Sequence, residues 1–480
     1  MTQDTPLHFP VSLSRRVLLT VVLLTTSGRV AAQSPTEQQV RQSLDRAITA
    51  YAQIAVHGGY VYYYSPDLTR RLGEGVASPT QIWVQPPGTP AVGRALLRAW
   101  EATGEDRYRT LANEAATALI YGQLQSGGWT NSIDFDPDGN TAAYRNGHGR
   151  GRNFSTLDDD ISQSALQFLM KCDQANDFQQ AEISAAAKFA LAALLRAQFA
   201  NGGFPQGWDG PVADRRTFVK ASFPNYDWRT QGRIKEYWDQ YTLNDGLAGT
   251  VVETLLVADD VYDRADCRAA LARFGDFLIM AQLPEPQPVW AQQYNENMQP
   301  IWARRFEPPA VAGRESEDVL MTLMRIYEVT REPRYLAPVP SAIAWFARCE
   351  LPDGRMARYY ELQTNRPLYM KRTSGRNYEL TYDDSDLPAH YGWKNSSKVK
   401  PLRREYLRVS RGEPAATRSV ATERIREILA SQDDSGRWVS VYEGQSLVGQ
   451  PKFATGERFL SSAVFCQNVE DLARWLDQSR

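Results

Sequence analysis

Three consecutive carboxylates, Asp158-Asp159-Asp160, stand at the start of a helical pattern whose apolar side is Ile161, Leu166, Phe168 and Leu169. Asp, Thr and Ser suit a helix N-cap, and acidic residues suit a first turn, where they meet the positive end of the helix dipole. One cap needs one carboxylate, and capping plus solvated charge would account for a lone triplet. The pattern recurs, however. Tyr241-Thr242-Leu243-Asn244-Asp245-Gly246 has the form of Thr156-Leu157-Asp158-Asp159-Asp160 and precedes a second helical stretch, 248–262, while Gly313-Arg314-Glu315-Ser316-Glu317-Asp318 opens a third. Three helices that begin in acidic clusters bring their carboxylates to one mouth of a helical barrel. Carboxylates in a chain with only 4 histidines favour a hard, oxygen-liking cation such as Ca²⁺ over zinc. An EF-hand spacing is absent, so a calcium site is expected from separate loops.

A second constellation is rich in arginine. Trp302-Ala303-Arg304-Arg305-Phe306-Glu307 is echoed by Met356-Ala357-Arg358-Tyr359-Tyr360-Glu361, which runs on through Arg366 to Arg372. In both, an Ala-Arg-aromatic step alternates like a strand. The planar fork of arginine matches a carboxylate with two hydrogen bonds, and forks beside aromatic platforms suit a chain of acidic sugars. The plain alternative is surface ion pairing among Arg304, Glu307, Arg358 and Glu361.

Helices in pairs can position these groups. The apolar periodicity predicts a first helix over 36–56, then pairs at 91–103 and 108–123, 161–175 and 184–198, 247–262 and 268–282, 319–330 and 336–349, and 421–432 and 461–476. The second helix of most pairs ends alike: Gln123 before Gly127-Gly128-Trp129, Gln198 before Gly202-Gly203-Phe204, Gln432 before Gly436-Arg437-Trp438, with weaker copies at Gln282 before Trp290 and at Cys349 before Gly354. Glycine stops a helix and the aromatic after it packs back. Copies fall about 65 to 85 residues apart, room for two helices and a loop. The expected fold is all-α dominated, an α/α toroid (an incomplete α/α barrel), with short strands within 57–90 and long irregular loops at 130–153, 204–240, 283–313 and 355–412. Loops of that length inside a compact domain usually carry function.

Composition narrows the class. The net charge of −2 gives no basis for nucleic-acid binding, and the 12 Trp and 23 Tyr fit sugar stacking as well as packing. The 4 cysteines are far apart in apolar helical contexts, which predicts buried free thiols. Ser14-Arg15-Arg16, the apolar run Val17 to Leu24 and Val30-Ala31-Ala32 read as an export signal over 1–32. Its apolar core is too short to span a bilayer, and the paired arginines permit a twin-arginine route. The remainder, 33–480, is expected to be one secreted or periplasmic catalytic domain, monomeric and without a membrane partner.

Taken in order, Thr156-Leu157-Asp158-Asp159-Asp160-Ile161-Ser162, Tyr241-Thr242-Leu243-Asn244-Asp245, Ala303-Arg304-Arg305-Phe306-Glu307 and Ala357-Arg358-Tyr359-Tyr360-Glu361 through Arg372, with the Gln…Gly-Gly-aromatic ends, resemble the pectate lyases of polysaccharide lyase family 10 over roughly 40–475. The resemblance implies an α/α toroid that cleaves polygalacturonate by calcium-dependent β-elimination. It assigns Asp158 and Asp245 to calcium and the sugar carboxylate, with Asp159 or Asp160 able to assist at the metal. An arginine base is implied, Arg304 with Arg305 and Arg314 as alternatives, and Arg358, Arg366, Arg372 and Tyr359 would bind substrate. The family's first motif usually reads Asp-Asn-Gly, where this chain has Asp158-Asp159-Asp160. Arginine, with a normal pKa above about 12, is a poor base unless nearby positive charge lowers it. Arg305, calcium, Arg358 and Arg372 are expected to supply that charge, and an alkaline optimum follows. Two other readings stay open: a glycoside hydrolase on the same toroid, with Asp158 and Asp245 as its acid and base, and a non-catalytic pectin-binding protein. A terpene-cyclase-like site for apolar substrates fits the Gln…Gly-Trp ends but not the polar loops and arginine runs.

Overall fold

The computed structural model describes residues 34–139, 142–213, 217–375 and 377–479; the expected export signal lies outside them. Twelve helices are described: α1 Glu37–Ala52, α2 Thr89–Thr103, α3 Asp106–Tyr121, α4 Ile161–Ala175, α5 Ala181–Arg196, α6 Leu247–Tyr262, α7 Ala265–Met280, α8 Gly313–Thr330, α9 Val339–Cys349, α10 Val399–Ser410, α11 Thr422–Ser431 and α12 Ser462–Gln478. Packing runs α12 on α2, α2 on α4, α4 on α6, α6 on α8 and α8 on α10, with α3, α5, α7 and α9 laid outside as partners of the preceding inner helix. This is the α/α toroid expected from the paired pattern. Helix α4 is buried on nearly every face, as an inner helix must be. One apolar cluster extends from Val40 in α1 to Leu476 in α12. Among the described residues, no helix is long and apolar enough to cross a membrane. All four cysteines are free thiols.

The recurrent glutamine stop is a staple between repeats. Gln198 Nε2 donates to the carbonyl of Gly202 in its own turn at 3.0 Å and to that of Ala270 in α7 at 2.9 Å. Gln123 does the same with Gly127 and Ala186 of α5, and Gln432 with Gly436 and Ser43 of α1. The weaker copy Gln282 reaches Pro288 and Pro338. The tryptophans fold back as expected: the indoles of Trp129, Trp290 and Trp438 donate to Leu119, Leu278 and Ile428 of the helix just ended, at 2.8, 2.7 and 3.0 Å. Gly202 has no alternative residue, since φ is +95° and a Cβ would lie 2.0 Å from the Arg273 carbonyl.

A short strand precedes the inner helices and pairs with the segment after the next Gly-aromatic stop. Ser155–Thr156 pairs with Gly207–Trp208, Tyr241–Thr242 with Gln293–Tyr294, and Val311–Ala312 with Tyr359–Tyr360, all antiparallel. These strands line one mouth of the toroid and deliver the acidic segments to it.

Two expectations need correction. The stretch 355–412, read as irregular, holds strands Arg355–Ala357, Tyr359–Tyr360, Pro367–Arg372, Tyr378–Thr381 and Lys394–Ser396 and all of α10. Pro401 and four basic residues obscured that helix, yet proline is tolerated in a first turn, and Val399, Leu402 and Val409 keep helical spacing on the buried side. The strand-like reading of the Arg304 step also fails: Arg304 to Phe306 is a tight turn, closed by Glu307 N–H donating to the Arg304 carbonyl at 3.0 Å.

Candidate functional site

The first two acidic segments share a backbone. Each leaves its strand through a single 3₁₀ turn, Asp158–Asp160 or Asn244–Gly246, before α4 or α6 begins. Asp159 and Asp245 both sit at φ 49°, in the left-handed region, and are followed there by Asp160 at φ 60° and Gly246 at φ 77°. Neither α4 nor α6 receives a side-chain cap, so capping does not account for these carboxylates.

The turns point Asp158, Asp159 and Asp245 at one another, with a carboxylate oxygen of each within 4.8 Å of the others. Asn244 Nδ2 donates to Asp158 Oδ1 at 3.3 Å and Gln85 Nε2 to Asp159 Oδ2 at 3.1 Å. Asp159 Oδ1 and Asn244 Oδ1 are buried acceptors with no donor. Desolvation, then the neighbouring Asp245 charge, pushes the Asp158 carboxyl up to about 6. Asp159 is raised well above the carboxylate range, first by burial and then by Asp158 and Asp245. Asp245 moves the other way: burial opposes its charge, but Arg358 and then Arg304 outweigh it. Crowded carboxylates with orphaned acceptors are a donor set that fits a hard cation.

Two arginines enter the site, Arg304 from its tight turn and Arg358 from between strands Arg355–Ala357 and Tyr359–Tyr360. Arg304 is half-buried and pairs with Glu307 Oε1 at 2.6 Å and Asp245 Oδ2 at 3.4 Å. Burial pulls its pKa down, but Glu307, then Asp245 and Asp158, hold it well above the usual arginine value. Its nearest charges are therefore carboxylates, not the arginines the sequence reading surrounds it with. Arg358 has no exposed surface. Its Nη2 reaches Asp245 Oδ1 at 3.3 Å and Glu315 Oε1 at 2.7 Å, and its guanidinium lies 4.4 Å from the Tyr391 ring centroid. The pairing of Arg304 with Glu307 is real but buried, and Arg358 does not pair with Glu361, which takes Arg229 and Thr364 instead.

The remaining candidates scatter. Tyr359 is fully buried, its hydroxyl shared with Gln292 and Tyr391. Arg314, on the first turn of α8, acts on Asp245 and Glu315 through its charge. Arg305 is exposed. Arg366 is exposed and stacks 3.7 Å over Tyr382, and Arg372 donates to the Tyr378 hydroxyl at 2.8 Å. Sequence reasoning missed Gln85 and Glu74, which come from the loop after α1. Glu74 accepts from Asn131 at 3.3 Å, and its carboxyl is raised by burial. Only the run of short strands over 57–90 hinted that this loop reaches the mouth.

Residues 123–356 match the family model of the pectic acid lyases. The resemblance is thereby borne out over that stretch, and the class it supports is a lyase acting on a polysaccharide. No curated protein matches the chain in sequence. Among solved structures, a family 10 polysaccharide lyase from Cellvibrio cellulosa is 20% identical, covering 67% of this chain and 97% of its own at a TM-score of 0.47. A mutant of that lyase in complex with trigalacturonic acid is 19% identical, covering 67% of this chain and 98% of its own at 0.47. The α-mannanase BT2949 from Bacteroides thetaiotaomicron is 10% identical, covering 93% and 97% at 0.43.

Proposed function

From a chain whose residues 123–356 match the pectic acid lyases, we propose an exported enzyme that cleaves polygalacturonate by calcium-assisted β-elimination. The observation that carries this is the interlocked set of Asp158, Asp159 and Asp245 with Arg304. β-Elimination removes the proton α to the uronate carboxylate, expels the glycosidic oxygen from the next carbon and leaves a double bond between the two. Negative charge builds on the uronate carboxylate as the proton leaves, and groups placed there lower the barrier. Calcium held by Asp158, Asp159 and Asp245 would polarise that carboxylate and offset the negative charge that keeps Arg304 protonated.

What supports Arg304 as the base, ahead of Arg305 and Arg314, is its direct contact with Asp245. The full burial of Arg358 and its pairing with Asp245 support a role through Asp245 ahead of one as an outward clamp. Arg366 and Arg372, exposed beside aromatic rings, remain the residues proposed to grip substrate carboxylates.

The test is ultraviolet absorbance during incubation with polygalacturonate. The expected result is a rise from the unsaturated uronide, abolished by a chelator and restored by calcium. New reducing ends without that rise would assign a hydrolase with paired carboxylates, and neither signal would leave a binding protein.

A further inference from the structure

Beside the carboxylate cluster lies a cavity of about 250 Å³ walled by Arg152, Phe154, Trp208, Asp209, Glu236 and Trp238. We propose that it is a separate binding position for one acidic sugar of the same chain, selected by Arg152. The proposal rests on the uronide reading above and names a residue and a position that reading does not use.

The two sites are joined by backbone. Phe154 and Asp158 are four residues apart on the segment that leads through strand Ser155–Thr156 into the first acidic turn, so at most about 14 Å of chain separates them. The opposite wall is the turn Tyr237–Asp239, tied to the same strand pair by Gln206 N–H donating to the Trp238 carbonyl at 2.9 Å. Consecutive residues of that turn serve the two places. The Tyr237 phenol feels the charges of Arg304, Glu307 and Asp158, while Trp238 lines the cavity. A polysaccharide crossing the cluster toward this strand pair meets the cavity next.

The lining is suited to a uronate ring. The Arg152 guanidinium lies 3.9 Å from the Phe154 ring centroid and 5.2 Å from that of Trp238, which holds the fork flat with its N–H edges free. Among the described residues it has no carboxylate within ion-pair reach, whereas Arg304 and Arg358 are both engaged by acids. Asp209 and Glu236, which also line the cavity, can accept hydrogen bonds from sugar hydroxyls. They repel a compact anion that has no hydroxyls to give. The Trp208 indole N–H is already spent on the Ser126 carbonyl at 2.9 Å, so Trp208 offers its ring rather than a donor. Below the ~300 Å³ of drug-sized sites, the volume suits one ring, not a branched segment.

The experiment compares the full chain with its Arg152→Ala and Arg152→Lys variants, their folding checked by thermal melting. Binding of galacturonate oligomers, from dimer to hexamer, is measured by calorimetry in chelator, where turnover is absent. KM and kcat on polygalacturonate are measured with calcium. The expected result is that Arg152→Ala loses roughly tenfold to a hundredfold in affinity, but only above a threshold oligomer length. KM rises with kcat held, Arg152→Lys falls between, and methyl-esterified oligomers, which lose every carboxylate contact, lose at least that factor on the wild type. Unchanged affinity and KM in Arg152→Ala would overturn the proposal. So would an equal loss for every length, or equal binding of neutral oligomers. Arg152-dependent binding without any unsaturated product would keep this position and remove the lyase reading, so the two failures are distinguishable.

Discussion

Arg358 is the residue whose removal speaks most directly to how the site is built. Its fully buried guanidinium holds two fully buried carboxylates, Asp245 at 3.3 Å and Glu315 at 2.7 Å. Arg358→Met keeps most of the side-chain volume and deletes the charge. Among the described residues Glu315 then has no cation within pairing distance, and Asp245 keeps Arg304 alone at 3.4 Å. Removing one member of a buried pair costs about 3–5 kcal/mol, because the other is left charged in a poor solvent. The loss depends on pH. Burial raises the Glu315 carboxyl and Arg358 opposes that rise, so without Arg358 it climbs further. A carboxyl raised above its unfolded value is penalised increasingly as pH climbs. Asp245, held low by Arg358 against burial, loses a stabilisation that exists only above its unfolded value. Both effects make the deficit larger in alkali than in acid. Urea unfolding of wild type, Arg358→Met, Glu315→Gln and the double variant at about pH 5 and about pH 8 is the assay. In the double variant the orphaned Glu315 charge is gone, and about 1–3 kcal/mol of the loss is expected back. A single variant within about 1 kcal/mol of wild type, or a double variant no better than the single, would show that Arg358 is not this brace and would return it to the substrate.

Arg304→Lys is expected to lower kcat by roughly 10²- to 10⁴-fold with little change in KM, the range a lost proton-transfer group gives; near-normal turnover at alkaline pH removes Arg304 as the base. Gln198→Ala strips the Gly202 and Ala270 carbonyls of their shared donor and is expected to cost about 1–3 kcal/mol in urea unfolding with kcat unchanged. Asp160 occupies the left-handed position that Gly246 fills in the second acidic turn, and its Oδ1 is a buried acceptor without a partner. Asp160→Gly is therefore expected to stabilise by about 1 kcal/mol, and a loss would mean that the carboxylate is used. Burial pushes Asp318 up to about 6, against an opposing hydrogen bond from the Gly249 N–H. Its penalty is absent near pH 4 and complete above pH 6, so Asp318→Asn should match wild type in acid and exceed it by at most about 3 kcal/mol at pH 8, read from urea midpoints.

The bounds of α4 and α6 fall where apolar spacing places them, because an inner helix packed on several sides leaves a dense periodic signal. The paired Thr-Leu-acid segments were legible for a similar reason: the repeat imposes one backbone on both, and the sequence copies it. The burial of Arg358 was not legible. Its partners Asp245 and Glu315 lie 113 and 43 residues away, and nothing in Ala357-Arg358-Tyr359 distinguishes an arginine facing a core from one facing solvent. Gln85 escaped for the same reason, since its link to Asp159 spans 74 residues and closes only when the toroid does.

The three acidic helix starts look equivalent in sequence and are not equivalent in space. At the first two helix starts a left-handed residue, Asp159 or Asp245, breaks the path between strand and helix and swings its carboxylate over the opening. At the third helix start Val311–Ala312 passes straight into α8 at Gly313, whose N–H donates to the Arg358 carbonyl at 2.8 Å. With no such turn, Glu315 falls on the buried side of the first helical turn instead of over the opening. From there it cannot join the three carboxylates; it reaches Arg358, which in turn reaches Asp245. The repeat thus supplies two carboxylate turns and one brace. The brace fixes Asp245, the one member of the cluster at which the arginines outweigh burial, while Asp158 and Asp159 stay raised and carry the repulsion that a bound cation would relieve.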